Sequence, residues 1–283
     1  MTGPSRKSRR SMVEWIVLLV GLFAAAWLFL RWFEQANVYH PTTSMASNGD
    51  ALRVPWEEVR FRTQDDLELG AWFFPAATNS PLRHLAVLIS HGNGGNISHR
   101  LPTYSLLLEL GVNVFAYDYR GYGQSQGKPN ESGTYLDAEA ALAWLRNRGF
   151  DAPQVVAFGE SLGGGIATEL AVRHPNLRGL VLQSTFTSLI DLGTELFPIL
   201  PVRTIARYRY DIVAKLPRLQ MPVLILHSRE DTLIPYHHAE RNFSAAREPK
   251  ALREISGDHN DQPTVDPDLI SNALREFLSP IRR

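Results

Sequence analysis

The chain has 283 residues, 44% of them hydrophobic and 20% charged, which suits one large globular domain or two small ones. It contains no cysteine, which excludes disulfides, thiolate metal sites and a cysteine nucleophile. Its 29 basic and 29 acidic residues cancel, so nothing points to nucleic acid as a partner.

In chain order, the first element is an anchor. Arg6, Lys7, Arg9 and Arg10 form a basic tail over residues 1–11. The run "MVEWIVLLVGLFAAAWLFL" follows, with Glu14 its one charge. As a helix it reaches roughly 28 Å, about the thickness of a bilayer core. Residues 12–31 are therefore read as a transmembrane helix. Trp15, Trp27 and Trp32 lie near its ends, where indoles favour the interface. The basic flank predicts a cytoplasmic N-terminus, with the rest of the chain across the membrane. In a bacterium that places the domain on the periplasmic side of the inner membrane. A cleaved signal peptide with Ala24-Ala25-Ala26 as its processing site is the competing reading. The apolar run continues through Leu30, which favours an anchor.

Residues 32–55 hold Pro41, Asn48, Gly49 and Pro55 and are expected to be a linker. From Trp56 onward the pattern becomes regular, and 56–283 is expected to be the folded domain. "WEEVRFRT" and "LELGAWFF" flank Gln64-Asp65-Asp66 and predict a hairpin. "LAVLIS", "NVFAYD", "VVAFG", "LVLQS" and "VLILH" suit strands buried on both faces. Between the strands the spacing predicts helices over 98–110, 132–148, 162–174, 235–246 and 267–278, with Ser132 as an N-cap. Alternating strands and helices imply an α/β fold with a mostly parallel sheet and helices on both faces. The long segment 186–221 breaks the alternation and is expected to form a small helical cap.

In such sheets ligands sit beyond the carboxyl ends of the strands. Those positions carry "HGNGGN", "YRGYGQS", "ESLGGG", "SREDTLIP" and "GDHND". A G-x-S-x-G match is expected about 0.1 times by chance in a chain this long. Here Gly159-Glu160-Ser161-Leu162-Gly163 also follows a strand and opens a helix, the context of a nucleophile elbow. A serine needs a base, and the base needs an orienting acid. Asp231 and His259 each follow a later strand, with Glu230 competing for the acid's place. The backbone N–H groups of Asn93 and Leu162 are placed to meet a developing oxyanion.

Those motifs, together with "YDYRGYGQSQGKP", "STFTS" and "VLILHSREDTLIP", resemble the alpha/beta-hydrolases, in particular their membrane-anchored domain proteins. The resemblance runs from about Trp56 to the C-terminus. It implies a serine hydrolase with Ser161 as nucleophile, His259 as base, Asp231 as its partner, and Asn93 and Leu162 at the oxyanion hole. It also implies an ester or thioester substrate of small-molecule type, lipid-derived in view of the anchor, and no cofactor. A peptidase or amidase, an acyltransferase and a non-catalytic scaffold are the rivals. His227-Ser228 stands where the family often has His-Gly, and Gly257-Asp258-His259-Asn260 where it often has G-x-G-H-N.

Other residues get plainer readings. Asp258 and Asp261 are expected to be solvated loop acids. His91 is expected to brace the oxyanion loop. "GYGQSQG" lacks a phosphate loop's Lys-Ser/Thr ending and reads as a turn. His237-His238 are adjacent helical residues whose rings are expected to diverge, and no H-E-x-x-H occurs, so no metal is expected. Arg203, Arg207 and Arg209, interleaved with Tyr208 and Tyr210, are read as a solvated cap surface, with an acidic substrate or lipid headgroups as the alternative.

Overall fold

The computed structural model describes residues 6–279, with side chains from residue 14 onward. Residues 1–5 of the basic tail, the tail's side chains and residues 280–283 lie outside the described residues.

Helix α1 covers Arg6–Val38. It is the one helix among the described residues long and apolar enough to cross a membrane. Its side chains from Trp15 to Phe29 stand clear of the rest of the protein, Phe23 at 76% exposure. The helix does not stop near residue 31, as expected from the sequence, but continues to Val38.

The expected linker over 32–55 is corrected too, because this stretch is docked. His40–Pro41 pairs in parallel with Gly94–Gly95. Tyr39 is buried. The Asn96 side chain donates to the carbonyls of Thr42 and Ser44, 2.8 Å each. Trp56 meets the Trp72 ring edge-on at 5.4 Å.

The main sheet has eight strands. They are β1 (Glu57–Arg62), β2 (Glu68–Phe74), β3 (Ala86–Ser90), β4 (Asn113–Tyr117), β5 (Val155–Glu160), β6 (Gly179–Gln183), β7 (Val223–Ser228) and β8 (Lys250–Ile255). Their spatial order is β1-β2-β4-β3-β5-β6-β7-β8. β2 runs antiparallel to β1 and β4, and every other pairing is parallel. The edge strand β1 alternates exposed and buried positions, whereas β3, β4, β6 and β7 are buried at every residue. That difference follows from the sequence: central strands need apolar side chains on both faces.

Helices α2 (Leu101–Glu109) and α9 (Pro267–Leu278) cover one face. Helices α3 (Glu131–Asn147), α4 (Leu162–Arg173) and α7 (His237–Ala245) cover the other. Two apolar cores result, one on each side of the sheet. The N-cap of α3 is Asn130, whose side chain accepts from the Gly133 N–H at 2.9 Å. Ser132, expected in that role, instead donates to Asn130. Between β6 and β7 lie α5 (Leu189–Leu196) and α6 (Val202–Ile205), both short. A further short helix, α8 (Gln262–Val265), precedes α9.

Within the cap, Tyr208 and Tyr210 are buried. The Tyr210 hydroxyl bonds Thr134 and Tyr39, each at 2.8 Å. These two tyrosines therefore fasten the cap to α3 and to the residue that follows α1. They are not a surface array. Arg203 pairs with Asp191 at 3.2 Å, and Arg207 lies over the Tyr208 ring.

The chain leaves β3 toward β4 on one side and returns to β5 on the other. The carboxyl end of β3 is thus a topological switch point, where α/β sheets place their ligands. Ser90 of β3 is in register with Gly159 of β5. The loops after these neighbouring strands carry His91–Asn93 and Ser161.

Candidate active site

Ser161 sits between β5 and α4 with φ 51° and ψ −117°. Positive φ is uncommon for a residue with a side chain and costs about 1–3 kcal/mol. The surroundings hold it there. Its N–H donates to the Gln183 carbonyl at 2.9 Å, and its carbonyl accepts from Thr185 Oγ1 at 2.7 Å and the Gly164 N–H at 3.0 Å. The flanking glycines are required by close approach. A Cβ on Gly163 would lie 1.9 Å from the Ser90 carbonyl oxygen, and one on Gly159 would lie 2.5 Å from that of Gly163. This tight crossing presents the Ser161 side chain at the N-terminus of α4, where backbone N–H groups lack helical partners.

His259 Nε2 lies 3.0 Å from Ser161 Oγ. His259 Nδ1 lies 2.8 Å from Asp231 Oδ2. A carboxylate accepts, so Nδ1 donates, and Nε2 is left to accept the serine proton. The second Asp231 oxygen accepts the N–H groups of Leu233 and Ile234 at 3.0 and 2.8 Å. Glu230 points elsewhere and accepts the Gly257 N–H at 2.8 Å. His227 is buried beside Asp231 and donates to the Ile234 carbonyl at 2.8 Å. Burial pushes its pKa below the usual histidine range, which keeps it neutral next to the acid.

Asn93 and Leu162 both border the space at Ser161. Leu162 is the first residue of α4, so its N–H is one of the helix's unpaired donors. His91 Nδ1 donates to the Gly92 carbonyl at 2.7 Å. In a trans peptide the Asn93 N–H points opposite to that carbonyl, so His91 sets its direction. The Asn93 carbonyl is held in turn by the His40 N–H at 3.1 Å and the Tyr122 hydroxyl at 2.8 Å. His91 thus braces this loop, and so does the segment just after α1.

Sequence reasoning missed two features. Asp258 is not merely solvated. Its Oδ1 accepts from the Thr232 N–H, the Thr232 hydroxyl and the His259 N–H, all at 2.8 Å. These bonds, the Thr232 N–H foremost, hold its pKa below the usual carboxylate range. Asp258 ties the loop bearing Asp231 to the loop bearing His259. The second feature is the pair Arg100 and Glu160, 3.1 Å apart. Arg100 also donates to the Gly94 carbonyl at 2.9 Å. The pair lines a polar cavity that includes Gly92, Ser161, His259 and Asn260. Ser161 also lines an apolar cavity of about 170 Å³, formed by the cap and by the end of α1. One water needs about a tenth of that room.

His237 and His238 do not diverge. Their rings stack at 4.5 Å and both face Glu195, at 3.1 and 3.3 Å. The three could offer donor atoms within 4.8 Å of one another. They line neither cavity at Ser161.

The comparisons with known proteins agree with the architecture. Residues 86–202 match the family model described as alpha/beta hydrolase fold. The chain is 34% identical to an uncharacterized protein of Mycobacterium tuberculosis, over 93% of this chain and 94% of that one. It is 30% identical to the alpha/beta hydrolase domain-containing protein WAV2 of Arabidopsis thaliana, covering 85% of this chain and 86% of WAV2. Among solved structures, an esterase of Pyrococcus furiosus superposes with a TM-score of 0.69 at 22% identity, over 85% of this chain and 96% of the esterase. The chain belongs to the alpha/beta hydrolase family.

Proposed function

We propose that the protein is a membrane-anchored serine hydrolase that cleaves carboxylic esters or thioesters through an acyl-enzyme. The observation that carries this reading is the hydrogen-bonded line Ser161–His259–Asp231. Ser161 Oγ attacks the acyl carbon while His259 Nε2 takes its proton. Asp231 fixes the imidazole tautomer and stabilises the imidazolium. The N–H groups of Leu162 and Asn93 meet the oxyanion, and one such donor is worth about 3 kcal/mol. The oxyanion collapses, the leaving group departs with the proton from His259, and the acyl group stays on Ser161. Water then gives its proton to His259 and its oxygen to the acyl carbon. The acid is released as Ser161 regains the proton. No cofactor takes part in these steps.

The anchor reading favours an uncleaved α1. Processing at Ala24-Ala25-Ala26 would leave Trp27, Leu28 and Phe29 in water at 53–60% exposure. The basic flank places the N-terminus in the cytoplasm and the hydrolase domain across the membrane.

An ester substrate fits better than a peptide because the cavity beside Ser161 is apolar. The test is turnover of matched ester, thioester and peptide-amide substrates by the full-length protein. The expected result is hydrolysis of the first two with no measurable amide cleavage. Preferential amide cleavage would mean a peptidase, and no turnover of any class would leave a scaffold.

A further inference from the structure

The apolar cavity at Ser161 has one wall made by the cap and another made by α1. Phe33 and Val38 of α1 line it, and so do Leu192, Leu196 and Phe197 of the cap. The α1 wall is fastened in place. The Phe33 ring meets Phe197 edge-on at 5.4 Å. The Glu34 carboxylate accepts the N–H groups of Arg207 and Tyr208, the latter at 2.8 Å. The Tyr208 hydroxyl donates to Gln35 at 2.6 Å, and Arg31 donates to the Ile205 carbonyl. Arg31 and Glu34 also pair at 3.3 Å, so the charged groups along this wall are already engaged.

Next to these lining residues in the chain, apolar side chains are bare to the outside as well. Trp32 is 63% exposed at the level where α1 meets the cap. On the cap, Leu196 at the end of α5 is 47% exposed and Ile199, in the loop that follows, 95%. Side chains of this kind bare to water next to the residues of an apolar cavity, beside a helix able to cross a bilayer, mark a membrane contact. An acyl chain leaving the bilayer along α1 would reach Ser161 without crossing water.

We infer that this cavity takes the acyl chain of a membrane lipid, drawn from the bilayer, and that α1 is a specificity wall of the site as well as its tether. The inference rests on the serine-hydrolase and anchor readings above. It adds the substrate class and the role of Phe33 and Val38. The separate polar cavity with Arg100 and Glu160, also lined by Ser161, is left for the polar leaving group.

The experiment uses the full chain in nanodiscs and reads the ratio of labelling rates by hexadecyl and ethyl fluorophosphonates. A ratio is insensitive to how much of a variant is folded, because unfolded protein lowers both rates alike. Wild type should prefer the hexadecyl probe. Val38→Trp, which fills the cavity, and Phe33→Ala, which breaches its wall, should each lower the ratio by about tenfold or more. Phe23→Ala, on the part of α1 clear of the domain, should leave it unchanged. The preference should hold when the hexadecyl probe is confined to the protein's own nanodisc. Ethyl labelling with no hexadecyl preference, or an unchanged ratio in both wall variants, would overturn this inference alone. Hexadecyl labelling only from solution would overturn the membrane source. Absence of ethyl labelling in wild type would instead strike the serine-hydrolase reading.

Discussion

Ser161→Ala and His259→Ala should each lower kcat for ester hydrolysis by about 10⁴- to 10⁶-fold, and the double variant should lose little more. The reason is the geometry of one unit. Ser161 Oγ is 3.0 Å from His259 Nε2, and removing either ends the same proton transfer. In the proposed mechanism the oxyanion donors and substrate binding remain, which neither substitution touches. Steady-state kinetics on the two single variants and the double variant check this. Strictly additive losses would mean that serine and histidine act in separate steps.

The second large effect is on stability. Arg120→Ala should cost about 3–5 kcal/mol, because it strands a buried carboxylate. Arg120 follows β4 and is nearly enclosed, its side chain 6% exposed. It bonds Asp137 of α3, fully buried, through Nε at 2.9 Å, and Asp65 of the β1–β2 turn through Nη1 at 2.8 Å. Three elements meet on this one side chain. For a chain of this size the loss corresponds to a fall in Tm of roughly 6–20 °C. Removing the buried pair, as Arg120→Met with Asp137→Leu, should recover part of it, since no buried charge is then left unpaired and Asp65 stays half-exposed to water.

The pH dependence follows from the two acids. Burial pushes Asp137 up to about 6 although Arg120 opposes it, while the hydrogen bond from Arg120 foremost brings Asp65 down to about 2. The enclosed carboxyl and the half-exposed one differ in desolvation, which explains the opposite directions. For Asp137 the folded pKa lies above the unfolded one. Its contribution is therefore full below pH about 4 and declines as pH rises toward 6. Asp65 is the reverse, its contribution being lost as pH falls from about 4 toward 2. Thermal melts across pH 2–7 read both. A loss below about 1 kcal/mol for Arg120→Ala would contradict the buried-network account.

The positions of the candidate residues were legible because they sit at fixed points of a repeating pattern. Ser161, Asp231 and His259 each follow a run of strand residues, so their places could be read without knowing any contact. The helices over 162–174 and 267–278 were read from their apolar spacing, and they form within a residue or so of those limits. The stretch after α1 was not legible. Its docking depends on a two-residue strand pair and on bonds such as Tyr39 to Tyr210, 171 positions apart, which leave no local pattern. The same holds for Asp258, whose role depends on Thr232, and for Arg100 and Glu160, which meet across the site. His237 and His238 misled for another reason. They sit in the first turn of α7, where both rings can reach a common partner on the cap.

The most direct test of the central claim is to react the full-length protein with a fluorophosphonate and map the adduct by peptide mass spectrometry. The account predicts one adduct, on Ser161, absent in Ser161→Ala and formed far more slowly in Asp231→Asn. An adduct on another residue, or undiminished labelling of Ser161→Ala, would contradict it.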